Sequence, residues 1–183
     1  MRTALNIARV AILALMATSG SGLAQGIGAE ARLKQLNITL PADSAPSANF
    51  VNSVQAGKLL FLSGNTPGGQ WPLKGKVGKD LTVEQGYQSA RQTGLIMLTK
   101  VRTALGSLDR VKRIVKVLGM VNSAEDFSDQ PKVVNGFSDL MVEVSAKRLG
   151  KHARSAVGHG GTSRQRTGRS RDDRGSRIAP SLP

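Results

Sequence analysis

Apolar residues recur at spacings of three and four between Thr82 and Leu105, which is the pattern of one face of an α-helix. Thr82 and Gln85 form the T-x-x-Q pattern of a capping box, in which a hydroxyl and an amide satisfy free backbone N–H groups at the helix start. Gly106 is a natural residue just past a helix end. The predicted apolar face consists of Val83, Tyr87, Ala90, Gly94, Met97, Leu98, Val101 and Leu105.

Two further helices are predicted on either side of this one. Pro131 fits the first turn of a helix, because proline there loses no backbone hydrogen bond. A short amphipathic helix is predicted over residues 30–36 and ends at Asn37. The residues expected to face inward from the helix at Pro131 are Val134, Phe137, Leu140, Met141 and Val144.

Strands are predicted at residues 50–55 and 59–63, joined by the tight turn Ala56-Gly57-Lys58. A short strand at 74–77 and a longer one at 111–121 follow. The resulting order, β-β-(β)-α-β-α-β, predicts an α+β fold in which helices cover one face of a sheet. The other face is then left for a partner.

The 183 residues predict one domain, and their formal net charge of +14 would suggest nucleic acid or an anionic membrane as partner. The charge is unevenly placed, however. Residues 151–183 contribute a net +6, with eight Lys or Arg against two Asp. Residues 159–183 contain six Arg and, as large aliphatic residues, only Ile178 and Leu182. Such a segment cannot bury enough apolar surface to offset chain ordering, so a basic, disordered tail is predicted.

Composition also excludes several kinds of site. Four Phe, one Trp and one Tyr are too few for a base-stacking platform, which argues against nucleic acid as a partner. The chain has no cysteine, so it has neither disulfides nor a thiol nucleophile. Two histidines support a multi-histidine metal centre poorly.

The first 24 residues have the pattern of a secretory signal. Arg2 and Arg9 form a positive start, Val10 to Ala17 is an apolar run, and Gly22 and Ala24 suit cleavage. The run is too short to span a bilayer. Cleavage after Ala24 predicts a periplasmic or secreted protein; a start at Met16 would instead predict a cytoplasmic protein with a short leader.

Three segments together resemble the RidA/YjgF family. They are residues 45–67, residues 105–123, and P-K-V-V-N-G-F-S-D-L-M-V-E-V (131–144) followed by G-K-H-A-R-S-A-V-G (150–158). In order and spacing they cover about residues 30–158, and the G-K-H-A-R-S form resembles the endoribonuclease L-PSP/chorismate mutase-like branch. The resemblance implies a chorismate-mutase-like mixed sheet with two helices on one face, assembled as a homotrimer. It also implies hydrolysis of reactive enamines and imines, such as 2-aminoacrylate, to ketoacids and ammonia, with neither a metal nor an organic cofactor.

The resemblance also implies a set of site residues. Arg154 matches the arginine that holds the substrate carboxylate in a cleft between subunits, and a guanidinium fork suits a bidentate grip on a carboxylate. Ser155 and Ala156 would supply backbone groups beside it. Asn135 matches a pocket position of the family.

Other positions depart from the family pattern. Phe50 stands where deaminating members have Tyr, and without a hydroxyl we interpret it as a core-packing residue. The late acidic residue that positions the hydrolytic water has no counterpart in this chain. His152 could act as a base near pH 7, but we interpret it as an inert loop histidine.

After A-R-S-A-V-G, family members continue with an L-P turn and a last strand rich in Val, Ile and Glu, which this chain lacks. Removing one base at Gly158 permits a reading with that turn and an alternating acidic and apolar strand. Residues 145–149 permit a similar shifted reading. A reading-frame slip and a genuine basic tail are the two interpretations, and either predicts a missing last strand.

Two alternatives to imine hydrolysis stay open from the sequence. A metabolite-binding trimer without catalysis is favoured by Phe50 and by the lost acidic strand. RNA binding or cleavage is suggested by the basic charge and by the endoribonuclease label of the branch.

Overall fold

The computed structural model describes residues 27–68 and 72–159, without the side chains of residues 146–149. The predicted leader, residues 1–24, and the tail beyond His159 lie outside the described residues. The predicted absence of a last strand also concerns residues beyond His159, outside the described residues. No helix among the described residues combines the length and apolar character that crossing a membrane requires.

The elements follow the predicted order. A 3-10 turn, Leu108–Arg110, follows the helix that ends at Leu105, and the strand predicted to begin at position 111 begins at Lys116. The predicted short strand at 74–77 reduces to isolated bridges from Val77 to Leu81 and Ser123. The helices and strands are α1 Ala29–Gln35, β1 Ser53–Ala56, β2 Leu59–Leu62, α2 Val83–Leu105, β3 Lys116–Asn122, α3 Gln130–Gly150 and β4 Ala153–His159.

Both predicted signals at the ends of α2 are present. The Thr82 hydroxyl accepts from the Gln85 backbone N–H at 3.2 Å, and the Gln85 side chain accepts from the Thr82 N–H at 2.8 Å. These two bonds complete the capping box. Gly106 ends the helix at φ +79°, a left-handed conformation that glycine adopts without steric cost.

Helices α2 and α3 pack closely because glycines lie where they meet. A Cβ on Gly136 of α3 would overlap the carbonyl oxygen of Tyr87 on α2. A Cβ on Gly94 of α2 would come within 2.8 Å of the Leu140 side chain. This close approach fixes the position of the α3 face that carries the candidate site.

The core has two parts, and both use the inward residues predicted for α3. The larger cluster joins α1, α2 and α3, and Leu140 and Val144 are its largest fully buried side chains. The smaller cluster lies between α3 and the β3 region. Phe137 is only partly buried. The buried residues are Leu33, Leu98, Leu108, Leu140, Met141 and Val144 in the first cluster, and Val77, Val121, Val133 and Val134 in the second.

The strands form two separate pairs rather than one continuous mixed sheet. Strands β1 and β2 make an antiparallel hairpin that packs on α2. Strands β3 and β4 are parallel, in register from Lys116 opposite Ala153 to Asn122 opposite His159, and pack on α3. Within the described residues no strand joins the pairs. The segment in which family members form their last strand lies beyond His159.

The helices cover only one face of the β3–β4 pair. On the other face, Leu118 is 61% exposed and Met120 63%. Val157, opposite Met120 in the register, is 44% exposed. The hairpin also exposes apolar side chains, including Val54 and Phe61. The result agrees with the predicted α+β arrangement of one helix-covered face and one open apolar face.

Candidate functional site

From His152 onward, alternate residues of the G-K-H-A-R-S-A-V-G segment face α3. Gly150, which ends α3, has no room for a side chain, because a Cβ would lie 2.6 Å from the Val142 Cα; at Gly158 a Cβ would lie 2.7 Å from the Gln130 Nε2, so that side chain would have to move. Ala156 packs on the smaller core cluster. Strand geometry, with a period of two, thereby brings Arg154 to the surface of α3.

Arg154 is held through one of its two terminal nitrogens. Its Nη1 donates to Asn135 Oδ1 at 2.8 Å and to Ser138 Oγ at 3.0 Å. Asn135 and Ser138 are three residues apart and so lie on the same side of α3. The predicted pair Arg154 and Asn135 is therefore in contact, and Asn135 orients the guanidinium.

Arg154 forms no ion pair within the described residues. The carboxylates of Glu143 and Glu30 pair with Arg91 and Arg102, and those of Asp43 and Asp129 lie near lysines. Both hydrogens of Arg154 Nη1 are used, whereas its Nε and Nη2 groups donate to no described residue. That edge of a guanidinium has the two-point geometry that grips a carboxylate.

Ser138 also connects Arg154 to His152. Its hydroxyl lies 3.1 Å from His152 Nε2, while His152 Nδ1 lies 2.7 Å from the carbonyl oxygen of Gly150. Phe137 meets the imidazole edge to face, with ring centroids 6.2 Å apart. A backbone carbonyl, an imidazole, a hydroxyl and a guanidinium are thus joined in one chain of hydrogen bonds.

These groups line an open cleft of about 350 Å³ between α3 and the start of β4. Its lining carries two cationic side chains, Arg154 and Lys151, and one carboxylate, Asp139. Tyr87 donates to Asp139 Oδ2 at 3.0 Å; burial, then the hydrogen bond and charge of Asp139, raise the pKa of the Tyr87 phenol. The size and positive balance of the cleft suit a small anionic ligand.

The described residues contain no cluster of potential metal ligands. Across residues 27–68 and 72–159, no group of three or more His, Cys, Asp or Glu side chains lies close enough together to hold a metal ion.

Three other predicted site residues do not line this cleft within one chain: Ser155 and Ala156, which directly follow Arg154 in β4, and Phe50. The Ser155 side chain is on the open face of β4, where its hydroxyl accepts from Lys116 Nζ at 2.9 Å. Phe50 lies before the hairpin, is 49% exposed, and is not part of the core clusters. The hairpin itself makes no contact with β3 or β4 in the described part of the chain. The interpretation of Phe50 as a core-packing residue is therefore wrong for the single chain.

Sequence reasoning missed Ser138 altogether and interpreted His152 as an inert loop residue. Two signals were present. Ser138 follows Asn135 by one helical turn, and His152 precedes Arg154 by one strand repeat. Neither signal identifies chemistry until the packing of β4 on α3 is known.

Comparisons with known proteins give a consistent result. The model of the family described as "YjgF/chorismate mutase-like, putative endoribonuclease" matches residues 30–159. Protein TCP17 of Trypanosoma cruzi is 44% identical over 132 residues, which are 70% of this chain and 81% of that protein.

Two solved structures are also similar to this chain. A protein of unknown function from Agrobacterium tumefaciens has a TM-score of 0.66 and 36% identity. The match covers 74% of this chain and 83% of that chain. A Shewanella oneidensis protein described as "a putative endoribonuclease" has a TM-score of 0.72 and 28% identity. The match covers 76% of this chain and 93% of that chain.

Proposed function

The chain belongs to the YjgF/chorismate mutase-like family, and on that premise we propose that it hydrolyses small carboxylate-bearing imines and enamines. The products of a substrate of the 2-aminoacrylate type are a ketoacid and ammonia. One observation carries the proposal: Arg154 lines an open cleft, has no carboxylate partner among the described residues, and keeps its Nε–Nη2 edge without an acceptor. Partly buried charges are ordinarily paired, so an arginine held only by neutral groups favours an anionic ligand.

The geometry suggests how substrate would be bound. The carboxylate takes the Nε–Nη2 edge of Arg154 in a bidentate pair, while Asn135 and Ser138 keep Nη1 in place. Because the guanidinium is already oriented, little side-chain entropy is lost on binding. The imine carbon next to the carboxylate is then held in the cleft, where water adds to it and the nitrogen leaves as ammonia.

The assembly proposed for this site is a homotrimer. Leu118, Met120 and Val157 make the open face of β3 and β4 apolar, and such a face is stabilised by burial against another copy. We expect this homotrimer of the protein whose reading frame is restored after Gly158, and light scattering of that protein at micromolar concentration should give three times the monomer mass. Leu118→Glu should shift its mass towards the monomer, and a stable monomer of the frame-restored parent would reject the assembly. A chain without the last strand exposes a sheet edge and should aggregate or assemble poorly.

We propose that the leader directs export, with cleavage after Ala24. Mass spectrometry of the protein from its native cells should then find Gln25 at the N-terminus. A terminus at Met1 or Met16 would support the cytoplasmic alternative instead.

The catalytic proposal is tested by ammonia release from an imine of a 2-amino acid, generated in the assay and supplied to the full chain. Arg154→Lys keeps the charge but loses the planar two-point grip, so kcat/KM should fall about ten- to a hundredfold. Arg110→Lys is the matched control, because Arg110 is an exposed arginine whose Nη1 donates to the Leu105 carbonyl, away from the cleft. The control should keep parental activity.

Two results would overturn the proposal. One is imine turnover by Arg154→Lys at the parental rate. The other is absence of imine turnover by the parent together with RNA cleavage that weakens steeply with salt, as phosphate binding does.

A further inference from the structure

We infer that His152 is the general base that activates the hydrolytic water, with Ser138 as the hydroxyl that passes the proton to it. The inference rests on the proposed imine hydrolysis and adds to it the group that removes a proton from water.

The hydrogen bonds of His152 fix which nitrogen can accept a proton. Gly150 offers His152 Nδ1 a carbonyl oxygen, which can only accept, so Nδ1 carries the hydrogen. In the neutral ring Nε2 is then the acceptor, and it faces the Ser138 hydroxyl at 3.1 Å. A base held in one tautomer by a third group is the arrangement that activates a hydroxyl or a water.

The carbonyl that orients the ring is itself held in place. Gly150, the last residue of α3, is buried, and a Cβ there would lie 2.6 Å from the Val142 Cα, so its backbone packs directly against an earlier residue of the same helix. The Phe137 ring meets the imidazole from the side, with an interplanar angle of 81°. Backbone packing and an aromatic contact therefore both restrict rotation of the His152 ring.

The base is also close to the carboxylate anchor. Ser138 Oγ accepts from Arg154 Nη1 at 3.0 Å and can donate its hydrogen only onward, to His152 Nε2. A substrate carboxylate on the opposite edge of Arg154 would leave this link intact. The reacting carbon, adjacent to that carboxylate, would then lie in the cleft that Ser138 and His152 line.

Asp139 and Lys151 are the other ionisable groups of the cleft lining. Asp139 Oδ2 accepts the Tyr87 hydroxyl at 3.0 Å, and no described hydrogen bond joins Asp139 to Ser138 or Arg154. Lys151 is exposed and has no described hydrogen bond to this chain of groups. His152 is connected to Arg154 through Ser138, whereas no described hydrogen bond connects Asp139 to Arg154. Asp139 is therefore the alternative general base that an experiment should test.

The proposed step balances in atoms and charge. The water oxygen bonds to the carbon of the protonated imine, the π pair moves to nitrogen, and the water proton passes through Ser138 to His152 Nε2. The imidazolium then protonates the nitrogen of the carbinolamine and the C–N bond breaks. The hydroxyl becomes the ketoacid carbonyl, and its proton leaves with ammonia as ammonium. An imidazole can accept and return a proton near neutral pH.

The test compares His152→Asn, Asp139→Asn and Arg154→Lys in the full chain with the same imine assay. Asn at 152 can still donate to the Gly150 carbonyl but offers no nitrogen at the Nε2 position. Its kcat should fall about a hundredfold or more, as loss of general-base catalysis predicts, with KM within about threefold and a near-parental melting curve. Arg154→Lys should instead raise KM.

A second pair of variants examines the relay. Ser138→Ala should lower kcat about tenfold or more, and Ser138→Thr, which keeps a hydroxyl, should recover most of it. Added imidazole should partly restore turnover to His152→Gly, which a purely structural role of His152 would not permit.

The outcomes separate the two proposals. Parental kcat in His152→Asn, while Arg154→Lys is impaired, would overturn the base assignment and leave the proposed hydrolysis standing. Loss of turnover in Asp139→Asn with normal turnover in His152→Asn would assign the base to Asp139 and also overturn it. No imine turnover by the parent would overturn both proposals.

Discussion

Arg102 and Arg154 are both partly exposed arginines, yet they are held in opposite ways. Arg102 meets Glu30 in a two-point pair, with Nε to Oε1 at 3.0 Å and Nη2 to Oε2 at 2.6 Å. Glu30 also accepts the backbone N–H of Leu108 at 3.0 Å. Arg154 has an amide and a hydroxyl as partners, both on one nitrogen. Among the described residues, the same Nε–Nη2 edge that is occupied in Arg102 is therefore open in Arg154.

This difference separates an arginine that serves the fold from the one proposed to bind a ligand. The Arg102–Glu30 pair ties α1 to the end of α2 and to the turn at Leu108, so its charge is neutralised inside the chain. No carboxylate of the described residues neutralises the Arg154 edge, which leaves it available to an anion in the cleft. Substitution of Arg102 should accordingly affect mainly stability, and substitution of Arg154 should affect mainly activity.

The largest expected effect comes from removing each arginine in turn. Arg154→Ala should lower kcat/KM for a carboxylate imine at least a hundredfold, because two charge-assisted hydrogen bonds are lost at about 1.5–3 kcal/mol each. Its melting temperature should change by less than about 2 °C. Arg102→Ala should do the reverse, with activity retained and the melting temperature lowered by about 3–8 °C. If both variants lose the same stability, the division between the sites is wrong.

The next largest effect is the pH dependence of the stabilisation that Glu30 provides. Partial burial acts to raise the pKa of Glu30, but the hydrogen bonds from Arg102 and from the Leu108 amide, together with the charges of Arg102 and Lys34, lower it overall. The unfolded chain therefore binds a proton more readily, and the stabilisation is present above the ordinary carboxyl pKa of about 4.3. It is lost as the pH falls through the lowered folded value.

Glu30→Gln should test that sign. At pH 7 the variant should be less stable by about 1–2 kcal/mol, an amount reduced by the exposure of the pair. Below about pH 4.3 the difference between variant and parent should narrow. Urea unfolding at several pH values measures both effects, and a difference that widens in acid would contradict the account.

The sequence predicted the helices well because their signals are local. The Thr82 capping box, the Gly106 end and the inward face with Leu140 and Val144 all depend on neighbours along the chain. The family resemblance identified Arg154 and Asn135 as site residues, but their contact is known only from the structure. Ser138 and His152 could not be assigned, because their roles depend on β4 packing on α3 and on a carbonyl held by Gly150. The division of the strands into two pairs is likewise a property of tertiary packing.

The smallest effect is expected at Asn135, which positions the guanidinium without needing to touch the ligand. Asn135→Ala should raise KM about three- to tenfold, the equivalent of one neutral hydrogen bond, with little change in kcat. Asn135→Asp should bring a carboxylate to Nη1 and compete with the substrate for Arg154. A larger rise in KM for Asn135→Asp than for Asn135→Ala would support this competition, and equal KM values of the two variants would contradict it.

The most direct test of the central claim is a binding titration of a 2-oxo carboxylate, the expected product class, against the parent, Arg154→Lys and Arg102→Lys. Arg154→Lys should bind the carboxylate about ten- to a hundredfold more weakly, Arg102→Lys should bind it as the parent does, and the corresponding 2-oxo amide should bind none of the three proteins measurably. Equal affinity of the parent and Arg154→Lys for the carboxylate would show that Arg154 is not its anchor.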